Sequence, residues 1–259
     1  MENGFVVEEA LQKAAGWARE AGGIQMSFFR GNDLGVSTKS NVYDVVTRVD
    51  KECEAFLLKQ IETAFPGHAV LGEESGKHEG KSDFCWVIDP LDGTNNYSQG
   101  LPVFTVSIGL QYKSETLLGV VYAPYFDELY TACRGKGAFL NDTPIHVSDK
   151  TDLEHSVIGT GFPYDKDVNP DNNVDNVARI LPHLRGLRRM GSAAYDLCCV
   201  AAGFLDGYWE FSLNLWDMCA GALIVEEAGG TIRHFRQNRN VSIIAANPQL
   251  VEKIGEKIK

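Results

Sequence analysis

The sequence predicts a layered α+β fold, and three observations carry that prediction. Its 259 residues suffice for one or two domains around a sizeable buried core. Short apolar runs of strand length follow one another through the middle of the chain. The C-terminal half then alternates helix-length and strand-length segments, the mixture from which layered helix-and-sheet proteins are built. Hydrophobic residues at 44% and charged residues at 23% exclude wholesale disorder.

Taken in order, residues 7–29 predict a helix, because Ala10, Ala14, Trp17, Ala21 and Ile24 recur at spacings of three and four. A second helix, from about 50 to 65, turns Cys53, Phe56, Leu57, Gln60, Ile61 and Ala64 to one face and stops at Pro66-Gly67. The apolar run Ala69-Val70-Leu71 follows. Residues 84–88 form a short strand halted by Pro90, which cannot continue a sheet ladder, so the chain must turn there. Residues 103–111, 117–122 and 128–133 read as further strands, and Asn141-Asp142 as a hairpin turn. The stretch 164–173 is polar and aperiodic, a loop at a subdomain junction. Helices are expected at 173–183, 193–203, 216–228 and 249–258, and strands at 208–211, 231–235 and 241–245. The whole is one catalytic unit with approximate halves 1–150 and 151–259.

The net charge is −11, from 24 Lys+Arg against 35 Asp+Glu, which disfavours nucleic acid and anionic membranes as partners. No apolar run approaches the roughly 20 residues of a membrane-spanning helix. The opening residues MENGFVVEEALQ show neither a basic nor an apolar signal region, so the expected compartment is the cytoplasm. The six cysteines include no C-x-x-C pair and are expected to be buried free thiols.

Acidic residues gather in four places. In Trp86-Val87-Ile88-Asp89-Pro90-Leu91-Asp92-Gly93-Thr94 an apolar strand ends on Asp89, and Asp92 returns close to it. Two such carboxylates repel unless a positive charge lies between them, and a hard divalent cation suits them, with turn carbonyls as further oxygen ligands. Gly93 lets the backbone approach a ligand, and successive N–H groups there can cradle phosphate. The plain alternative is a capped turn. Glu73-Glu74 follows the 69–71 run and could be solvated surface; Asp50 and Asp217 each stand where a helix N-cap belongs. From Met190 to Ile232 there is no Lys, Arg or His, yet Asp196, Asp206, Glu210, Asp217, Glu226 and Glu227 occur; any that are buried need a partner or a metal.

Together these segments resemble the inositol monophosphatase family of magnesium-dependent, lithium-sensitive phosphatases. The match is collinear: Lys39 and Asp50, GEES at 72–75, WVIDPLDGTNNY at 86–97, GSAAYDL at 191–197, YWE at 208–210 and WDMCAGALIVEEAGG at 216–230. The resemblance implies an αβαβα sandwich, usually a homodimer. It implies two to three Mg2+ ions: a first on Glu73, Asp89 and the Leu91 carbonyl, a second on Asp89, Asp92 and Asp217, and a weaker third on Glu73 and water. It also implies that Gly93 and Thr94 bind phosphate, that Thr94 with Asp50 and Glu73 serves catalysis, and that Asp92, Ala193 and Glu210 meet the alcohol half of the substrate.

The expected reaction is hydrolysis of myo-inositol 1-phosphate by direct attack of a metal-activated water, since no persuasive catalytic Cys or His is present. Glu210 suits a small phosphorylated polyol because a carboxylate accepts hydrogen bonds from hydroxyls. Histidinol phosphate and other sugar phosphates are the alternatives, and a non-catalytic, metal-stabilised regulatory module is the reading from another class. The chain departs from the family pattern at Asn95, at Asn141-Asp142 and in the short segment 233–240 with its three arginines.

Overall fold

The computed structural model describes residues 5–31, 34–39, 43–236 and 240–258. Asn41 and Val42, and residues 237–239 of the arginine-bearing segment, lie outside them. The chain runs α1 (Val7–Phe28), β1 (Ser37–Thr38), β2 (Val45–Val46), α2 (Arg48–Ala64), β3 (Ala69–Gly72), β4 (Gly76–His78), β5 (Phe84–Asp92) and α3 (Thr94–Ser98). It continues through β6 (Thr105–Tyr112), β7 (Glu115–Ala123), β8 (Glu128–Cys133), β9 (Ala138–Leu140), β10 (Thr143–Pro144) and β11 (Val157–Thr160). Then come α4 (Val174–Ile180) with a 3-10 turn (Leu181–His183), β12 (Gly186–Arg188), α5 (Ala193–Ala201), β13 (Gly207–Leu213), α6 (Leu215–Glu227), β14 (Thr231–Arg236), β15 (Val241–Ala246) and α7 (Pro248–Lys257).

Apolar stripes must find partners, and they do so in three buried clusters that separate five layers. Trp17 and Ala21 of α1 and Leu57 and Ile61 of α2 pack on Trp86, Ile88 and Ile108 of the larger sheet. Helices α5 and α6 fill the space between the two sheets, Leu197, Leu223 and Ile224 meeting Val121 on one side and Ile243 and Tyr208 on the other. Leu250 and Ile254 of α7, with Ile180 of α4, cover Trp209 and Ile244 on the outer face of the smaller sheet. Helix α6 is apolar all round because both of its sides are covered, as its eight consecutive buried residues Met218 to Val225 show. The order is therefore αβαβα. No helix among the described residues is long and apolar enough to cross a membrane. All six cysteines are free, and five are buried.

The larger sheet has strand order β10-β9-β8-β7-β6-β5-β3-β4, and the smaller β12-β11-β13-β15-β14. β3 is parallel to β5, and β11 is parallel to both β12 and β13; the other pairings in the two sheets are antiparallel.

Three local expectations are corrected, and a fourth holds. The chain does not turn at Pro90: β5 continues to Asp92. Its pairing with β6 shifts register between Asp89↔Ser107 and Asp92↔Thr105, so one extra residue is taken up in a bulge. Proline is tolerated there because a bulge needs no ladder N–H from it. Asp50 is not an N-cap; Thr47 is, and Asp50 is the third residue of α2, closing the capping box. Asp217 likewise stands third in α6, behind the N-cap Asn214. The hairpin at Asn141-Asp142 forms, with both residues at positive φ and Leu140 paired to Thr143.

Candidate active site

Every element that ends at the cleft delivers a carboxylate or a hydroxyl. At the end of β5, Asp89 is 1% exposed, and its Oδ1 accepts the Leu91 N–H at 2.9 Å. The bulge carries the chain on to Asp92. Gly93 follows in a left-handed conformation, φ +99°; a Cβ there would lie 2.8 Å from the Val103 carbonyl oxygen, so both the angle and the space call for glycine. This turn aims Thr94 back across the strand end, its Oγ1 2.9 Å from Asp50 Oδ1 and 2.9 Å from the Leu91 carbonyl oxygen.

Asp50 is fully buried. Its Oδ2 accepts from the Thr47 N–H at 2.8 Å and from Thr47 Oγ1 at 2.6 Å. Burial pushes its pKa up, and the bonds from Thr47 and Thr94 oppose that rise. Glu73 lies just past β3. The turn around it is held by Glu54 of α2, whose carboxylate accepts from the Glu74 N–H at 2.9 Å and the Ser75 N–H at 2.7 Å. Lys39 Nζ lies 2.8 Å from Glu73 Oε1 and 2.5 Å from Glu74 Oε1. Burial works against its charge, but the two glutamates overcome that and hold the ammonium above its ordinary range.

Asp92 is fixed from the far side of the cleft: its Oδ2 accepts from Ser192 Oγ and from the Ala194 N–H, both at 2.7 Å. Asp217 Oδ2 accepts from the Asn214 N–H at 2.7 Å. The first turns of α5 and α6 therefore face the end of β5, where α5 receives the Asp92 carboxylate and α6 supplies Asp217. Burial, followed by repulsion from Glu73, Asp92 and Asp217, raises Asp89 well above the carboxylate range; burial, Asp92 and Glu73 do the same to Asp217. Glu73 is pushed up to about 7 and Asp92 to about 6, burial being the main cause in each.

Four carboxylates that resist ionising together form a deficit of positive charge. Hard oxygen donors are the set that Mg2+ prefers, so the chemistry of the residues fits that ion. Among the described residues, no three such groups are already arranged to hold a metal, and Lys39 provides a counter-charge to Glu73.

The cleft itself is lined by Asp92, Tyr164, Arg189, Ala193, Glu210 and Asp217, among others. Glu210, on β13, accepts from the buried Tyr208 hydroxyl, and burial pushes it up to about 7. The residues expected from sequence thus converge from β3, β5, α2, α5, β13 and α6. Glu54, Ser192, Tyr164, Arg189 and Asn214 were not singled out. Only Glu54 left a clear trace: it falls on the apolar stripe of α2, four residues after Asp50 and three before Leu57, where an acid needs donors.

Fold and site together define a five-layered α+β protein with an acidic cleft between its two sheets. Comparison with known families matches residues 7–259 to the inositol monophosphatase family, and the chain belongs to it. It is 44% identical over 248 residues to the Nus factor SuhB of Pasteurella multocida, covering 93% of this chain and 92% of that one. It is 44% identical over 213 residues to the inositol-1-monophosphatase of a Synechocystis species, covering 82% and 74%. Among solved structures, the extragenic suppressor protein suhB of Bartonella henselae superposes with a TM-score of 0.91 at 36% identity, covering 97% of this chain and 98% of that one.

Proposed function

We propose that this chain is a magnesium-dependent phosphomonoesterase, acting as one catalytic unit, that converts myo-inositol 1-phosphate to inositol and phosphate. The observation that carries the reading is the Thr94–Asp50 pair, 2.9 Å apart, beside the mutually repelling Glu73, Asp89, Asp92 and Asp217. Glu73, Asp89, the Leu91 carbonyl, Asp92 and Asp217 would hold two to three Mg2+ ions. Bound there, magnesium supplies Lewis acidity that offsets the phosphate charge and eases departure of the alcohol oxygen.

The chain's own groups do the rest. Gly93 and Thr94 present backbone N–H groups to the phosphate. The Thr94 hydroxyl, tied to Asp50, orients the attacking water, and Asp50 draws off its proton with the support of Glu73. The new O–P bond forms in line with the breaking ester bond, whose oxygen leaves as the inositol hydroxyl after taking a proton from solvent water, while Asp50 returns to solvent the proton it took. Asp92, Ala193 and Glu210 hold the alcohol half. By analogy with the family the working form is a homodimer.

A second reading has its own support: the Pasteurella relative is named a Nus factor. On that reading the chain is a regulatory binding module on a phosphatase fold. The retained Thr94–Asp50 pair favours catalysis, because a binding module has no need of a hydroxyl tied to a buried carboxylate. Phosphate release with Mg2+ from inositol 1-phosphate, histidinol phosphate, fructose bisphosphate, adenosine bisphosphate and glycerol phosphate separates the two. The highest kcat/KM is expected for inositol 1-phosphate. Absence of turnover on every ester by folded protein supplied with Mg2+ would remove the enzyme reading and leave the regulatory one.

A further inference from the structure

Asp196, on α5, is 2% exposed and lines the cleft, yet its Oδ1 has no hydrogen-bond partner. A buried polar atom left unpaired opposes folding, so folding alone does not explain its presence. The backbone opposite is cut away to fit it. A Cβ at Gly159 would stand 2.9 Å from Asp196 Oδ1. A Cβ at Gly161 would overlap the carboxyl of Glu210. Residues 159 and 161 alternate along an extended segment and so face the same way. Two bare positions on one face thus accommodate two carboxyls side by side, and the Arg189 guanidinium is close enough to favour the charged form of each. Glu210 already has the Tyr208 hydroxyl as donor. Asp196 receives no hydrogen bond from the protein; its Oδ1 is sealed beside Gly159, and the residue lines the cleft a ligand would enter.

Resting on the phosphatase reading above, we infer that Asp196 is a specificity-determining residue that, beside Glu210, accepts a hydrogen bond from a ring hydroxyl of the polyol leaving group. The pair reads neighbouring hydroxyls, and a substrate lacking them gains nothing from Asp196. Position 196 lies outside the set that bears on the phosphate, so the chemical step does not depend on it.

The test compares inositol 1-phosphate with phenyl phosphate, an ester whose alcohol half carries no further hydroxyl. In Asp196→Leu, kcat/KM for inositol 1-phosphate is expected to fall about tenfold, mostly through KM, the loss of one hydrogen bond. Phenyl phosphate turnover stays within about twofold. Asp196→Asn, which keeps an acceptor, restores most of the loss. Thermal unfolding of each variant is measured alongside. A residue kept for structure would lower Tm when replaced, whereas removal of an unpaired buried carboxyl leaves Tm unchanged or raised. Asp196→Ala serves in place of the leucine variant should leucine crowd Leu205. Equal losses on both esters, no loss on either, or a lowered Tm accompanying a general loss overturns the assignment while leaving the phosphatase reading standing. A wild-type chain inactive on both esters overturns both.

Discussion

Replacing Thr94 by valine removes one hydroxyl and almost no volume. That hydroxyl lies 2.9 Å from Asp50 Oδ1, and Asp50 is fully buried. Thr47 still serves Oδ2 through two bonds, so the loss is one hydroxyl donor, shared between Asp50 Oδ1 and the Leu91 carbonyl oxygen. A hydrogen bond to a charged group contributes about 1.5–3 kcal/mol; taking about 2 and the roughly 2–4 °C per kcal/mol typical of chains this size, Tm should drop by roughly 4–8 °C. Such a loss leaves the protein folded at assay temperature. Activity should fall far more. If the pair orients the water and takes its proton, kcat drops by about 10²–10⁴-fold while KM for inositol 1-phosphate stays within about threefold. Thr94→Ser, which restores the hydroxyl, should recover activity to within about tenfold of the original. The assay is phosphate release at saturating ester and Mg2+, with unfolding curves on the same preparations. A valine variant that turns over within about threefold of the parent, while showing the expected drop in Tm, would place the pair in the structure and not in the reaction.

Other perturbations address separate parts of the cleft. Asp92→Asn keeps an acceptor for Ser192 but substitutes an amide for a carboxylate facing both the ion site and the alcohol; phosphate release should be nearly abolished, and near-parental turnover would show the site is misplaced. Glu54→Ala strips two acceptor bonds from the turn that carries Glu73 and should lower stability by about 2 kcal/mol, read by urea unfolding; an unchanged midpoint would contradict the anchoring role. Burial holds the Glu210 pKa at about 7 against its ordinary 4.5, so as pH rises from 4.5 the unfolded chain ionises first. Stability of the metal-free protein should therefore fall between about pH 4.5 and 7, by up to about 3 kcal/mol for this group, and Glu210→Gln should flatten the slope. Urea unfolding at pH 5 and pH 8 measures both, and equal slopes in parent and variant would refute the assignment. Mg2+ should raise Tm more at pH 8 than at pH 5, where protons already answer the same deficit; scanning calorimetry at the two pH values decides it.

Periodic segments were legible and short ones were not. Trp17 and Leu57 announce their helices because the stripe repeats over several turns, and the long strands β6, β7 and β8 because apolar residues persist. By contrast β11, β12, β4 and the β9–β10 pair are two to four residues each, too short for any period to show. They take their form from neighbours: β11 exists because β12 and β13 flank it in parallel. Pro90 misled for a different reason. The rule that proline ends a ladder holds for a regular strand, whereas a bulge releases one residue from pairing, and Pro90 falls in that gap. The carboxylates of the site were visible as residue types. The groups that fix them were not, because Ser192 and Ala194 reach Asp92 from a hundred residues away, and no spacing in sequence encodes that contact.

The base-free stretch from Met190 to Ile232 divides in a way that composition alone could not show. Three of its six acids are used by the fold. Asp206 takes Lys150 at 3.0 Å and the Val157 N–H at 2.7 Å. Glu226 meets Arg134 at 3.1 Å, and Glu227 accepts the N–H groups of Gly135, Lys136 and Gly137. The other three, Asp196, Glu210 and Asp217, line the cleft. Burial raises the pKa of each, and other cleft carboxylates, Asp92 common to all three, add to the rise. Acids that find protein donors are held where they are useful to folding. Acids whose ionisation is opposed by burial and by neighbouring carboxylates are held against folding, and something outside the chain must balance them: a proton, a cation, or a ligand hydroxyl. The cleft is accordingly the part of the molecule whose stability depends on what it binds.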